Sequence, residues 1–158
     1  GTVLVIIKND LLLRSQAPTP FNYQEHASAG SRLNTPPTFG IVVLRRMLEW
    51  IQQHGGVTSM ALRAEQRAQL LYDAIESTQG YWRPHASHGC QSVMNITWHG
   101  PSPEAESEFL NQANEIGFSG LKGHRSVGGL RASVYNAADE DACQKLAELI
   151  YTSSRSSK

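Results

Sequence analysis

The chain opens on an unbroken apolar run, Thr2-Val3-Leu4-Val5-Ile6-Ile7, closed by Lys8. The run is rich in β-branched residues and too short to cross a bilayer as a helix, so it reads as a buried strand. A buried strand needs neighbours on both sides, and the next strand-like run lies far downstream. Its partners are therefore expected upstream of Gly1, and the chain reads as a fragment. Asn9 to Leu13 reads as a turn or short helix. Ser15 to Arg32 shows no sustained period and reads as a long loop, in which Tyr23 and His26 are candidate contact residues.

Asn34-Thr35-Pro36-Pro37-Thr38 signals a helix start, with a capping side chain followed by proline. The helix expected over about Thr38 to Gln53 carries Ile41, Val42, Val43, Leu44, Met47, Leu48, Trp50 and Ile51. Apolar residues on several faces predict burial between two layers. Gly55-Gly56 should stop it. Thr58 is a candidate cap for the next helix, whose apolar face is Met60, Leu62, Leu70, Leu71, Tyr72 and Ile75, with Gly80 as its end.

Val93 to Trp98 reads as a strand. Ser102-Pro103-Glu104 opens a helix with Phe109, Leu110, Ala113 and Ile116 inward and Gly117 as its stop. Leu130 to Tyr135 reads as a second strand and Asp139 to Tyr151 as a last helix, acidic in its first turn. From Thr58 onward the order α-β-α-β-α predicts a two-layer α/β domain. The Ser-rich tail reads as frayed.

Fourteen basic and 14 acidic residues balance over the 158 positions. No overall field then favours nucleic acid or an anionic membrane, and any anion site must be local. Two cysteines, Cys90 and Cys143, form no disulfide framework, and no signal peptide is visible, which favours a reducing, cytosolic setting.

The richest chemistry lies in Gly120-Leu121-Lys122-Gly123-His124-Arg125-Ser126-Val127-Gly128-Gly129-Leu130-Arg131. Glycines let backbone amides approach a ligand, and arginine forks match carboxylate and phosphate oxygens. Arg125 and Arg131, six positions apart, suit two anionic groups of one small molecule. The alternative is a flexible glycine loop with solvated basic residues. Asn34-Thr35 at a helix start suits a phosphate, with ordinary capping as the alternative. His85, His88 and Cys90, with His99 nearby, have zinc-binding atom types, but their spacing fits no familiar site. Neither a Gly-x-Gly-x-x-Gly run after a strand nor a defensible Ser/His/Asp arrangement is present.

Three segments together resemble the phosphoserine aminotransferase family of class-V, fold-type-I aminotransferases: Thr2 to Leu12, Asn34-Thr35-Pro36-Pro37-Thr38-Phe39, and Leu121 to Ala137. Met47-Leu48-Glu49-Trp50-Ile51, Leu70 to Ile75 and Met94-Asn95-Ile96 add to the likeness. It runs almost end to end and corresponds to the carboxyl-terminal part of the family's enzymes.

The resemblance implies an α/β fold in three parts. Residues 1–38 would be a remnant of the large cofactor-binding domain, 39–56 a linking helix, and 57–158 the small two-layer α/β carboxyl-terminal domain. It implies pyridoxal 5'-phosphate as cofactor and a cytoplasmic homodimer with shared active sites. The reaction implied is amino transfer between glutamate and 3-phosphohydroxypyruvate in serine biosynthesis, and often a parallel step in pyridoxine biosynthesis. Substrates are then glutamate, phosphoserine and their oxo acids, with no role for nucleic acid or membrane.

By resemblance, Asn34 and Thr35 reach the cofactor phosphate of the neighbouring subunit. Arg131 holds the substrate α-carboxylate, while His124 and Arg125 bind the distal phosphate or glutamate's side-chain carboxylate. The family's Schiff-base lysine is not matched by Lys8, Lys122, Lys145 or Lys158, so no catalytic residue is assigned and the segment alone is expected to be inactive. Cys90-Gln91-Ser92-Val93 stands where the family has basic residues, and Ala138-Asp139-Glu140 replaces its Met-Pro-Leu. Two rival readings are a non-catalytic module for small anions and a structural interaction fragment.

Overall fold

The computed structural model describes residues 1–12 and 17–155. The positions between Leu12 and Ala17, including part of the expected loop, and the end of the Ser-rich tail with Lys158 lie outside the described residues. The chain divides into two compact units, Gly1–His54 and Gly55–Lys158.

In the first unit the opening apolar run is not a strand. Residues 1–8 form no ladder, and Val3 and Ile6 are 84% and 91% exposed. The reason is the one that made a buried strand demanding: its unit holds no strand among the described residues to pair with. Helix α1 spans Asn9–Leu12. The expected long loop contains a 3-10 turn at Thr19–Phe21 and helix α2, Tyr23–Ser28. Asn22 starts α2, its side chain accepting from the Gln24 amide, and His26 is tied to the Pro20 carbonyl at 3.0 Å.

Helix α3, Thr38–Gln53, matches the expected span, but two of its expected features differ. Pro37 is the residue at its start, and no side chain caps it, so Asn34 and Thr35 are not caps. None of its residues is buried, and Phe39, Val42 and Leu48 are exposed. An apolar helix surface stays exposed when its own unit supplies no layer to cover it. Outside, Glu49 accepts from Arg45 and Arg46, which holds its carboxyl below the usual range.

The second unit holds most of the expected core. Helix α4, Gly56–Ser77, follows Gly55, whose φ of 92° ends α3 and starts α4 without help from Thr58. Its inward stripe is Met60, Ala64, Arg67, Ala68, Leu71, Tyr72 and Ile75, spaced by three and four; Leu62, expected inside, is exposed. Helix α5, Pro103–Glu115, is capped by Ser102 accepting from the Ala105 amide, and buries Phe109 and Ala113. Ile116, expected inside, lies past its end and is exposed. Helix α6, Glu140–Ser153, is capped by Asp139 and packs on α4 through Cys143, Leu146, Ala147 and Ile150.

The sheet has three antiparallel strands in the order β1-β2-β3: Arg83–Pro84, Asn95–His99 and Leu130–Ser133. Ile96, Trp98, Leu130 and Ala132 point into the helical layer. Trp82 and Trp98 each meet Phe109 edge-on, at 5.1 and 5.9 Å between ring centroids. Trp82 Nε1 donates to Ser153 Oγ at 3.1 Å, tying the residue just before β1 to the end of α6. Every second residue, Asn95, Thr97, His99, Arg131 and Ser133, therefore lies on the opposite face.

Candidate functional site

That second face is polar, and its register orders it into rows. Thr97 stands opposite Arg131, and Asn95 opposite Ser133. Continuing the β1-β2 register beyond Pro84 brings His85 opposite Thr97, where its amide donates to the Thr97 carbonyl at 2.9 Å. His85, Thr97 and Arg131 thus form one row across three chain segments. Asn95 Oδ1 accepts from both Ser133 Oγ, at 2.9 Å, and Tyr135 Oη, at 3.3 Å.

The sequence between α5 and β3 makes a closed excursion over the end of this face. Its base is pinned by the Arg131 amide donating to the Leu121 carbonyl at 2.7 Å, a bridge between Lys122 and Leu130, and the Gly123 amide donating to the Gly129 carbonyl at 2.8 Å. Its tip turns on the His124 carbonyl, which accepts from the Val127 and Gly128 amides. Glycine is required at two points of the base. A Cβ on Gly123 would collide with the Gly128 carbonyl, and one on Gly129 would come within 2.6 Å of His99 Nδ1 and the Trp98 carbonyl.

At the tip, His124 Nδ1 lies 2.7 Å from Ser126 Oγ and accepts from the Ser126 backbone N–H at 3.3 Å. A backbone N–H can only donate, so Nδ1 is the acceptor nitrogen and the neutral ring carries its proton on Nε2. That leaves the Nε2–H as a donor on an exposed residue. Arg125, next to it, is exposed and forms no ion pair among the described residues.

Arg131 is half-buried in the sheet face, and its Nε is buried with no hydrogen-bond partner. A buried guanidinium N–H without an acceptor is costly, and a carboxylate is the acceptor that fits it in a fork geometry. Of the two arginines of the motif, Arg131 sits on β3 and Arg125 on the loop that closes back onto that strand.

Asn34 and Thr35 lie in the other unit, exposed in the four residues before α3, and their side chains make no hydrogen bond among the described residues. The ordinary alternative, that they cap the helix, does not hold. Their donors remain available for a phosphate.

The histidine group divides. His85 Nδ1 and His99 Nε2 meet at 3.0 Å, whereas His88 and Cys90 do not join them, and no three metal-binding side chains gather among the described residues. Sequence reasoning gave no individual role to Thr97, Asn95, Ser126 or Glu106; the Glu106 Oε1 accepts from the Gly100 amide and lies 3.7 Å from His99 Nδ1. The alternation Asn95-x-Thr97-x-His99 was the available signal, since period two marks one face of a strand. Buried Arg67, 4% exposed on α4, was also unforeseen. Among the described residues, no helix is long and apolar enough to cross a membrane.

Comparison with known proteins shows the family. The family described as "Aminotransferase class-V" matches residues 6–146. The phosphoserine aminotransferase of Geobacillus kaustophilus is 47% identical over 152 residues, covering 95% of this chain and 42% of that protein. That of Lysinibacillus sphaericus is 45% identical with the same coverage. Among solved structures, phosphoserine aminotransferase from Bacillus circulans subsp. alkalophilus superposes with a TM-score of 0.91 at 39% identity, over 96% of this chain and 43% of that one. A PLP-bound phosphoserine aminotransferase from Trichomonas vaginalis gives 0.83 at 30% identity, over 91% and 42%. The chain thus spans about two-fifths of the length of these relatives.

Proposed function

The chain belongs to the class-V aminotransferases, and on that premise we propose that it is the substrate-recognising part of a phosphoserine aminotransferase. The reaction is amino transfer between glutamate and 3-phosphohydroxypyruvate, giving phosphoserine and 2-oxoglutarate. The observation that carries this reading is the unpartnered Nε of Arg131 on the polar sheet face, with His124 and Arg125 on the loop pinned to its strand.

Arg131 binds the α-carboxylate common to every amino-acid substrate and fixes the direction of the Cα–N bond. His124, donating through Nε2, and Arg125 bind the second anion, a phosphate in one half-reaction and a carboxylate in the other. An imidazole N–H and a guanidinium accept either group, which suits a site that alternates between phosphoserine and glutamate. Holding both ends of a small substrate removes its freedom to rotate, and this is how positioning residues contribute to rate.

Asn34 and Thr35 hold the phosphate of pyridoxal 5'-phosphate in the neighbouring subunit of a homodimer. The cofactor supplies an electron sink for the substrate's Cα electrons. By the family resemblance no lysine of this chain matches the one that would carry it, so on this reading the segment alone recognises substrate without turning it over. The setting is serine biosynthesis in the cytoplasm, with a parallel role in pyridoxine biosynthesis.

The test is a nuclear magnetic resonance titration of the isotopically labelled chain with L-phosphoserine, inorganic phosphate and L-alanine. Phosphoserine is expected to shift the amides of residues 121–131 and the Arg131 Nε–H, with each half-ligand weaker. Binding that survives unchanged in Arg131→Ala, or shifts confined to other residues, would refute the assignment.

A further inference from the structure

The loop that bears His124 and Arg125 rests on a side chain outside the motif. His99, at the end of β2, lies directly under Gly129. A Cβ there would fall 2.6 Å from His99 Nδ1 and 2.7 Å from Cε1, so the ring and the glycine backbone are in contact. The Gly129 carbonyl is in turn the acceptor for the Gly123 amide, the bond that closes the loop's base.

The His99 ring is itself braced on two sides. Its Nε2 meets His85 Nδ1 at 3.0 Å, one ring donating and the other accepting, and its Nδ1 faces Glu106 Oε1 at 3.7 Å. Glu106 is held in turn by the Gly100 amide at 3.0 Å. His85 hangs from β2 through its own backbone bond to Thr97. The chain of contacts therefore runs from the start of α5 and the row beside Arg131 to the base of the loop.

We propose that His99 is a positioning residue for the anion loop: braced by His85 and Glu106, its ring fixes the Gly129 backbone and so holds His124 and Arg125 in place for the ligand's distal anion. This rests on reading residues 121–131 as an anion site. It adds a role for three side chains that do not touch the ligand. A loop held in its bound shape binds better than one that must be ordered on binding.

The test measures amide hydrogen exchange in the ligand-free chain and, separately, phosphoserine affinity, for wild type, His99→Ala, His99→Gln and His85→Ala. His99→Ala is expected to speed exchange of the Gly123 and Gly128 amides by about tenfold or more while Leu71 in α4 stays protected. His99→Gln, which refills the space with a planar polar group, should restore part of the protection. Phosphoserine affinity should fall about fivefold in His99→Ala, with alanine little affected. Unchanged loop exchange in His99→Ala would overturn the proposal. So would equal acceleration at Leu71, since His99 would then serve the fold as a whole. Should His99→Ala fail to fold, His85→Ala decides the matter by the same pattern at smaller size, and its absence refutes the brace. If the wild-type chain binds no phosphoserine yet the exchange pattern appears, the anion-site reading fails while the positioning of the loop stands.

Discussion

Arg131 and Thr97 stand directly opposite one another in the β2-β3 pair, on the sheet face turned away from the aromatic core. Directly opposed residues on one face approach closely enough to interact, and an opposite-charge pair there contributes about 0.2–1 kcal/mol. Thr97→Asp would therefore give the unpartnered Arg131 Nε an internal carboxylate. Stability is expected to hold or rise slightly, while phosphoserine binding weakens about tenfold or more because the new carboxylate competes with the ligand's. Thr97→Val is the control, keeping the β-branched shape without a charge. Calorimetric titration beside thermal unfolding checks both halves, and undiminished affinity in Thr97→Asp would separate Arg131 from carboxylate binding.

The two arginines should fail differently in an enzyme of full family length. Arg131→Ala is expected to impair every amino-acid substrate, whereas Arg125→Ala should impair phosphoserine and glutamate and spare substrates with uncharged side chains. Losing a charged hydrogen bond in a site costs about 2 kcal/mol or more, so each kcat/KM effect should exceed tenfold. Equal losses for alanine and phosphoserine in Arg125→Ala would contradict its role.

Neighbouring glycines in the loop make a graded pair. Gly128, with φ 77°, has open space where a Cβ would go, while Gly129, with φ 67°, has His99 and the Trp98 carbonyl there. Gly128→Ala should cost only the left-handed backbone strain, about 1–2 kcal/mol. Gly129→Ala adds a collision with backbone and should cost clearly more, read as a lower urea midpoint. The order reversed would mean that the ring and the glycine are not in contact in solution.

Burial pushes the Cys143 thiol and the Tyr72 phenol above their ordinary values; at Cys143 the Arg67 charge opposes the rise while Asp139 and Glu140 add to it. A raised pKa means that the folded chain keeps a proton the unfolded chain has already lost. The stability this contributes is complete below the unfolded pKa and disappears as pH rises. Unfolding free energy is expected to decline from about pH 8.5 upward, with the phenol adding from about pH 10. Urea midpoints across that range should fall less steeply in Cys143→Ala. In the native chain exposed Cys90 should react with a thiol reagent, and Cys143 only after denaturation.

What the sequence determined by itself is what depends on residues within a turn or two of each other. The span of α3, the inward Met60, Leu71, Tyr72 and Ile75 of α4, the Ser102 and Asp139 starts and the Gly55 and Gly117 stops all follow from periodicity and local capping. The long motif through Arg131 was legible for the same reason, as contiguous residues carry it. The tertiary structure decided what distant segments do to each other. The β2-β3 register put Arg131 opposite Thr97, and a slip by one residue would turn Arg131 into the core. The two-residue β1 brought His85 to His99, a meeting across 14 positions that no period announces. Arg67 is buried, and the opening apolar run exposed, because burial is set by which surfaces a unit has to offer. Hydropathy states only what a residue would prefer.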